Sequence, residues 1–288
     1  MKAIKGVFLF CFLGGFVTAC FDPPEFSDIP NIQLNKLEFK VTPDISDADS
    51  LIIYIDFKDG NGDMGLDDNY LDDPYHERNF YFENTGNNTL TPVGTIIQSV
   101  NNPAFPPTIQ MIIEPSTGKL ATNRTRLKPG FGFLPPFNSA DLECLNYTTQ
   151  YLLIAPPAHN SIDASYSIAD TLYDQGNNEY FLLKDTLYFE RNLNHYNILV
   201  RFYESSGSGF TEFSWEEEFC TTFNGRFPVL SDDDSPLEGT IRYAMTSTGF
   251  TPLFSIKTLM LDIIVKDRAF NKDSIRTPEF TLDKIRVN

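Results

Sequence analysis

The 288-residue chain carries 22 Lys+Arg against 39 Asp+Glu, a formal net charge of -17. With 41% hydrophobic and 14% aromatic residues it holds enough apolar material for a core, which excludes a disordered acidic chain. The charge also excludes binding to a nucleic-acid backbone, which needs clustered Lys and Arg. The length suits one large all-β domain or two domains of about 100–150 residues.

Met1-Lys2-Ala3-Ile4-Lys5 is a short basic segment, and Gly6 to Val17 is an apolar run. That run is shorter than the ~20 residues a membrane-crossing helix needs, and it fits the apolar region of a secretory signal. It ends in Val17-Thr18-Ala19-Cys20, which resembles the bacterial lipobox. The resemblance implies cleavage before Cys20, so that residues 1–19 are a signal peptide and Cys20 carries covalent lipid, including palmitate-type acyl chains. Each buried methylene adds about 0.8 kcal/mol to such an anchor, with no transmembrane helix required. The plainer alternative is an ordinary signal peptide cut at Ala19. Residues 20–30 are proline-rich and acidic, and read as an extended tether.

Asp22 gives opposite addresses in different lineages. In enterobacteria it resembles an inner-membrane retention signal, whereas in Bacteroidota acidic residues after the cysteine resemble a surface-export signal. Asp49-Ser50-Leu51, Asp170-Thr171-Leu172, Asp185-Thr186-Leu187 and Asp273-Ser274-Ile275 match the Asp-Ser/Thr-aliphatic pattern of Bacteroidota envelope O-glycosylation. Together these features resemble a Bacteroidota-type outer-membrane lipoprotein, exposed at the cell surface rather than on the periplasmic face. Setting aside Cys11 and Cys20 leaves Cys144 and Cys220, a natural disulfide in an oxidising envelope. Two buried free thiols are the alternative. A metal pair is disfavoured, because no His or Cys lies nearby to complete four ligands.

Strand signals then recur along the chain. They include Leu34 to Val41, Leu51 to Phe57, Asn79 to Phe82, Thr108 to Ile113, Tyr151 to Ile154 and Tyr180 to Phe189. Asn197 to Tyr203, Phe210 to Trp215, Gly239 to Met245, Leu259 to Val265 and Glu279 to Leu282 follow. Clusters of Gly, Pro, Asn and Asp punctuate them, the pattern of an all-β sandwich or barrel. A helical turn is predicted only in short segments such as Ser139 to Cys144.

Ile55-Asp56-Phe57-Lys58-Asp59, Val200-Arg201-Phe202-Tyr203-Glu204 and Ile263-Ile264-Val265-Lys266-Asp267 form a faint repeat, each running an apolar strand into an acidic residue. Val265 to Ser274 resembles the last hairpin of bacterial immunoglobulin-like and cadherin-like modules, with Phe270 where those modules read glycine. The resemblance implies immunoglobulin-like β-sandwiches, tandem or fused. Residues 31–160 are expected to form the first sandwich region, 161–189 a connection with long loops, and 190–288 the second. Fusion into one larger β domain is the alternative.

One constellation points to chemistry. Asp59, Asn61 and Asp63 alternate with glycines directly after a strong strand, the spacing a hard cation such as Ca²⁺ uses. Asp67 or Asp68 and a carbonyl near Gly65 are expected to complete the shell. The loop is not an EF-hand, since Met64 occupies position six and Tyr70 position twelve. It looks closer to the calcium loops of cadherin-like extracellular modules, where the ion is structural. The alternative is a solvated turn that binds nothing.

Catalytic signatures do not emerge, so the chain is read as not an enzyme. Glu204 to Gly209 lacks nucleophile-elbow spacing, and His76-Glu77 has no second histidine four residues on. The Pro/Phe loops at 102–107 and 129–137 are the expected partner contacts, through Phe105, Phe131, Phe133 and Phe137. The resulting reading is a noncatalytic lipoprotein, a binding or accessory subunit of an outer-membrane barrel complex. The alternative is a glycan-binding surface lipoprotein, which requires an exposed Tyr or Trp platform.

Overall fold

The computed structural model describes residues 25–44, 47–84, 86–94, 112–113, 119–137, 144–154, 168–173, 176–231, 233 and 235–287. Cys20, Phe105, the lipobox and the expected turn at 139–143 lie outside them. The chain is all-β. One four-stranded sheet has the order β12 (Leu237–Ser247), β2 (Asp49–Asp59), β1 (Asn31–Lys40), β15 (Arg286–Val287). A second has the order β11 (Gly209–Phe213), β10 (Ile198–Ser206), β13 (Leu259–Lys266), β14 (Lys272–Arg276). The middle of the chain forms a third sheet of β4 (Thr89–Gly94), β3 (Arg78–Asn84), β9 (Glu179–Arg191), β7 (Tyr147–Ile154) and β5 (Ile112–Ile113). Here β6 (Lys119–Leu120) pairs with β3, and β8 (Ile168–Tyr173) pairs with β9.

Alternation decides which sheets face each other. In β2, Leu51, Ile53, Ile55 and Phe57 are buried, and in β13 Leu259, Leu261, Ile263 and Val265 are. Successive side chains of a strand point to opposite faces, so each set lines one face. Both sets belong to one apolar cluster, with Ile32 and Phe39 of β1, Ile241 and Met245 of β12, and Ile198, Val200 and Phe202 of β10. The first two sheets therefore form a sandwich around a shared core. Trimming one such Leu or Ile to Ala costs about 2–5 kcal/mol.

This pairing corrects the expected division into 31–160 and 190–288. β1 and β2 pair with β12 and β15, from the opposite end of the chain, as in Ile55↔Ile241 and Phe39↔Arg286. The third sheet is the insertion between them. Periodicity reports that a strand has one apolar face, but not which distant strand will cover it.

Two local predictions also change. Phe210 to Trp215 is a strand only to Phe213. Ser214 then caps a short helix, α1 (Trp215–Phe219), its hydroxyl accepting from the Glu217 N–H at 3.2 Å. The Ser214-x-x-Glu217 spacing is a capping signature. Glu279 to Leu282 is not a strand: Phe280 makes an isolated bridge to Leu259, and a 3₁₀ turn spans Leu282–Ile285.

Cys144 and Cys220 form a disulfide with Cα atoms 5.5 Å apart, Cys220 ending α1 in a left-handed conformation (φ 54°). The bond joins residues 76 apart and so ties the segment before β7 to the sandwich. Closing a loop of that length is worth about 4–5 kcal/mol in the chain-entropy description. Reduction, or Cys144→Ser with Cys220→Ser, is expected to lower unfolding free energy by ~2–4 kcal/mol. Urea unfolding with and without reductant measures it.

Candidate metal centre

The alternation that builds the core also builds the site. Asp59 continues the inward-facing parity of Ile53, Ile55 and Phe57, and Asp267 continues that of Leu261, Ile263 and Val265. Each carboxylate thus points toward the interior at the end of the strand central to its sheet. Asp59 is fully buried (0% exposed), and Asp267 is 4% exposed. Asp63, half-buried on the loop after β2, joins them, with ligand oxygens of all three within 4.8 Å of one another.

The loop geometry is imposed by glycine. Gly62 has φ +70°, and an added Cβ would lie 2.4 Å from the Ser235 carbonyl oxygen. Gly65 has φ +98°, and its Cβ would lie 2.2 Å from the Pro228 carbonyl oxygen. Only glycine accepts both the dihedral and the close approach.

Hydrogen bonds hold the loop against the β13–β14 hairpin. The Ala269 N–H donates to Asp63 Oδ2 at 3.2 Å, and the Arg268 N–H donates to the Asp63 carbonyl oxygen at 3.2 Å. Asn271 donates its backbone and side-chain N–H groups to the two Asp267 oxygens, each at 2.8 Å. By contrast, neither oxygen of Asp59 and not Oδ1 of Asp63 has a hydrogen-bond partner among the described residues. The Gly62 and Asp63 N–H groups ease the Asp59 charge from nearby without meeting hydrogen-bond geometry.

Burial first, then the neighbouring Asp63 and Asp267 charges, push the Asp59 carboxyl up to about 6. Burial also raises Asp63 and Asp267. Lys266 supplies no counter-charge, because it faces away and donates to the Leu193 carbonyl, while burial pushes it down to about 8. Three converging carboxylates, with both Asp59 oxygens and one Asp63 oxygen unpartnered, suit a hard, oxygen-binding cation. The cluster holds no Cys or His, which zinc and the softer metals prefer.

The expected ligands are therefore redistributed. Asp59 and Asp63 meet as the spacing predicts. Asn61 instead accepts from the Asp63 N–H at 3.4 Å, while Asp67 caps Asn69 (2.7 Å) and Asp68 is exposed. Asp267 takes the third place. Its signal was the repeat linking Ile263 to Asp267 with Ile55 to Asp59.

The expected partner contacts divide as well. Phe131 is fully buried with Leu134, Tyr147 and Tyr188, so it packs rather than docks. Phe137 is half-buried and meets Tyr147 edge-on at 5.5 Å. Phe133 is 64% exposed, near the 79% exposed Leu127 in sequence. Trp215 lies inside an aromatic cluster with Phe202, Phe223, Phe250 and Phe254, out of reach of a sugar. An aromatic row that the sequence did not reveal runs beside the acidic cluster: exposed Tyr70 stacks on half-buried Tyr75 at 6.1 Å, and Tyr75 meets exposed Phe270 at 5.6 Å. Phe270, where the resembling modules read glycine, holds φ +67°.

No protein family matches the chain, and neither a curated protein nor a solved structure matches it.

The Asp59 shift makes a signed prediction for chelator-treated protein. A carboxyl raised in the folded state holds a proton that the unfolded chain has released. Its contribution to stability therefore falls as pH rises from about 4 through 6 and is flat above. Asp59→Asn should remove that part of the pH dependence, so the variant gains more stability relative to wild type at pH 7.5 than at pH 4.5. Thermal melts at both pH values in EDTA measure the difference.

Proposed function

We propose that the chain is a noncatalytic, lipid-anchored outer-membrane protein of the Bacteroidota kind, facing the cell surface and serving as a binding or accessory subunit of an envelope barrel complex. The observation that supports this most is the Cys144–Cys220 disulfide. These are the two cysteines left once the signal and the lipobox Cys20 are set aside, and structural disulfides persist in oxidising compartments. A lipid on Cys20 and the acidic tether of residues 20–30 hold the folded part off the bilayer in this reading. Phe133 and Leu127, both strongly exposed, supply the apolar contact for the barrel subunit.

The row Tyr70–Tyr75–Phe270 favours the alternative, a glycan-binding surface lipoprotein. Exposed aromatic faces stack on the C–H face of a sugar ring, and the net charge of -17 favours a neutral glycan.

Cys20→Ser should move the protein from the membrane fraction to the soluble fraction, read by fractionation and immunoblot. A mild-detergent pull-down of the wild type should recover a stoichiometric barrel protein, and Phe133→Ala with Leu127→Ala should lower that recovery ~10-fold, as for loss of a modest interface hot spot. Recovery of the lipoprotein alone, with retention on a neutral glycan column lost in Tyr70→Ala, would replace the first reading with the second.

A further inference from the structure

β2 and β13 lie in opposite sheets of the sandwich, yet each ends in an inward-facing aspartate at the same edge of the core. Apolar residues fill that parity from Leu51 to Phe57 and from Leu259 to Val265, and Asp59 and Asp267 follow them. Ending two core-facing rows on charge, with a third carboxylate folded between them, is unfavourable unless something positive sits there. Among the described side chains Arg268 eases the Asp63 charge from nearby, but none meets Asp59: both oxygens of this fully buried carboxylate are unpartnered and directed into the cluster.

We propose that Asp59, Asp63 and Asp267 bind one Ca²⁺ that clamps the exit of β2 to the exit of β13, and with it the two sheets of the sandwich. Oxygen is the only donor in the cluster. Ca²⁺ accepts six to eight oxygens in irregular arrangements, so backbone carbonyls and water can complete its shell, whereas Mg²⁺ demands near-ideal octahedral geometry and keeps most of its water. The ion is structural, and its binding is independent of the membrane reading.

The clamp reaches further than its ligands. Asp63 accepts from Arg268 and Ala269, and the Arg268 carbonyl in turn accepts the Tyr75 hydroxyl at 3.0 Å. The ion therefore orders both the 60–76 connector, which leads from β2 to the third sheet, and the 267–271 turn. These two segments carry Tyr70, Tyr75 and Phe270. Filling the site should stiffen the aromatic row along with the core edge.

The test uses full-length protein in detergent, stripped with EDTA and titrated with CaCl₂ or MgCl₂ by calorimetry, up to ~10 mM to cover the ~10⁻⁴–10⁻³ M affinities of extracellular modules. One Ca²⁺ per chain is expected, with a Tm rise of about 5–10 °C at ~100-fold excess over Kd and little response to Mg²⁺. Tb³⁺ in the same site should give luminescence sensitised by Tyr75. Asp59→Asn and Asp267→Asn should each weaken Ca²⁺ by ~100-fold or more, as loss of a direct ligand exceeds loss of a supporting residue. Both should stay folded in EDTA by circular dichroism, and Asp68→Asn should bind as the wild type does. Hydrogen exchange should slow in 60–76 and 267–271 on adding Ca²⁺. Absence of both heat and Tm shift to 10 mM overturns the site. Unchanged binding in Asp267→Asn, or equal loss in Asp68→Asn, overturns the clamp between strands.

Discussion

Everything in this chain hangs on the facing of β2 against β13 across the sandwich. Each is the strand whose inner residues are the most continuously apolar, and each sits inside its sheet with a hydrogen-bonded neighbour on both sides. Once the inner rows of β2 and β13 share one core, the parity of every flanking residue is settled. Asp49, at the start of β2, lands inside as well. It is satisfied by the Thr42 N–H at 3.0 Å and the Thr251 hydroxyl at 2.6 Å. At the other end the same parity delivers Asp59, with no such partners. One periodicity thus creates both the core and the acidic cluster, and the contrast between its two ends marks the cluster as a site.

The insertion of a whole sheet between β2 and β10 needs firm seams, and three of those formed among the described residues are a disulfide, Arg226 and Asn192. The disulfide is covalent. The second is Arg226, whose guanidinium donates to the carbonyls of Asp67, Tyr70, Tyr75 and His195 at 2.5–2.9 Å and so gathers the connector onto the sandwich. Five fixed donors suit a cage of carbonyls better than a lysine would. Asn192 is the third, its amide donating to the carbonyls of Pro74 and His76 where the chain enters and leaves the inserted sheet. Each seam meets backbone oxygens or sulfur, so the sandwich can hold the insertion without adding to an already acidic surface.

Aromatic residues are divided between two tasks. The sole Trp, Trp215, sits in a ring of phenylalanines that closes one flank of the core, with Phe202 contacting Phe250 and Phe254 in stacked geometry. Edge-to-face and offset contacts of this kind add about 0.5–1.5 kcal/mol each beyond burial. The second group places Tyr70 and Phe270 at the surface, with half-buried Tyr75 between them. Phe270 holds a left-handed backbone that costs an L-residue about 1–2 kcal/mol, a conformation glycine would adopt without penalty. Its ring packs on Tyr75, so the side chain is what the position keeps at the expense of backbone comfort.

The sequence by itself determined the all-β class, most strand positions, the Cys144–Cys220 pair and two members of the acidic cluster. These follow from local facts: a period of two, turn residues between runs, the count of cysteines, and the Asp-Gly-Asn-Gly-Asp spacing. Tertiary structure decided that the two chain ends build one sandwich, that Phe131 packs inside while Phe133 does not, and that Asp267 rather than Asp67 or Asp68 completes the cluster. Asp67 and Asp68 are nearer in sequence, but Asp67 accepts from Asn69, Asp68 is exposed, and neither belongs to the cluster. Asp267 lies two hundred residues away and arrives only because β13 faces β2. A strand's periodicity states which side chains must be covered, whereas the covering strand is chosen by cooperative packing over the whole chain, which no local spacing encodes.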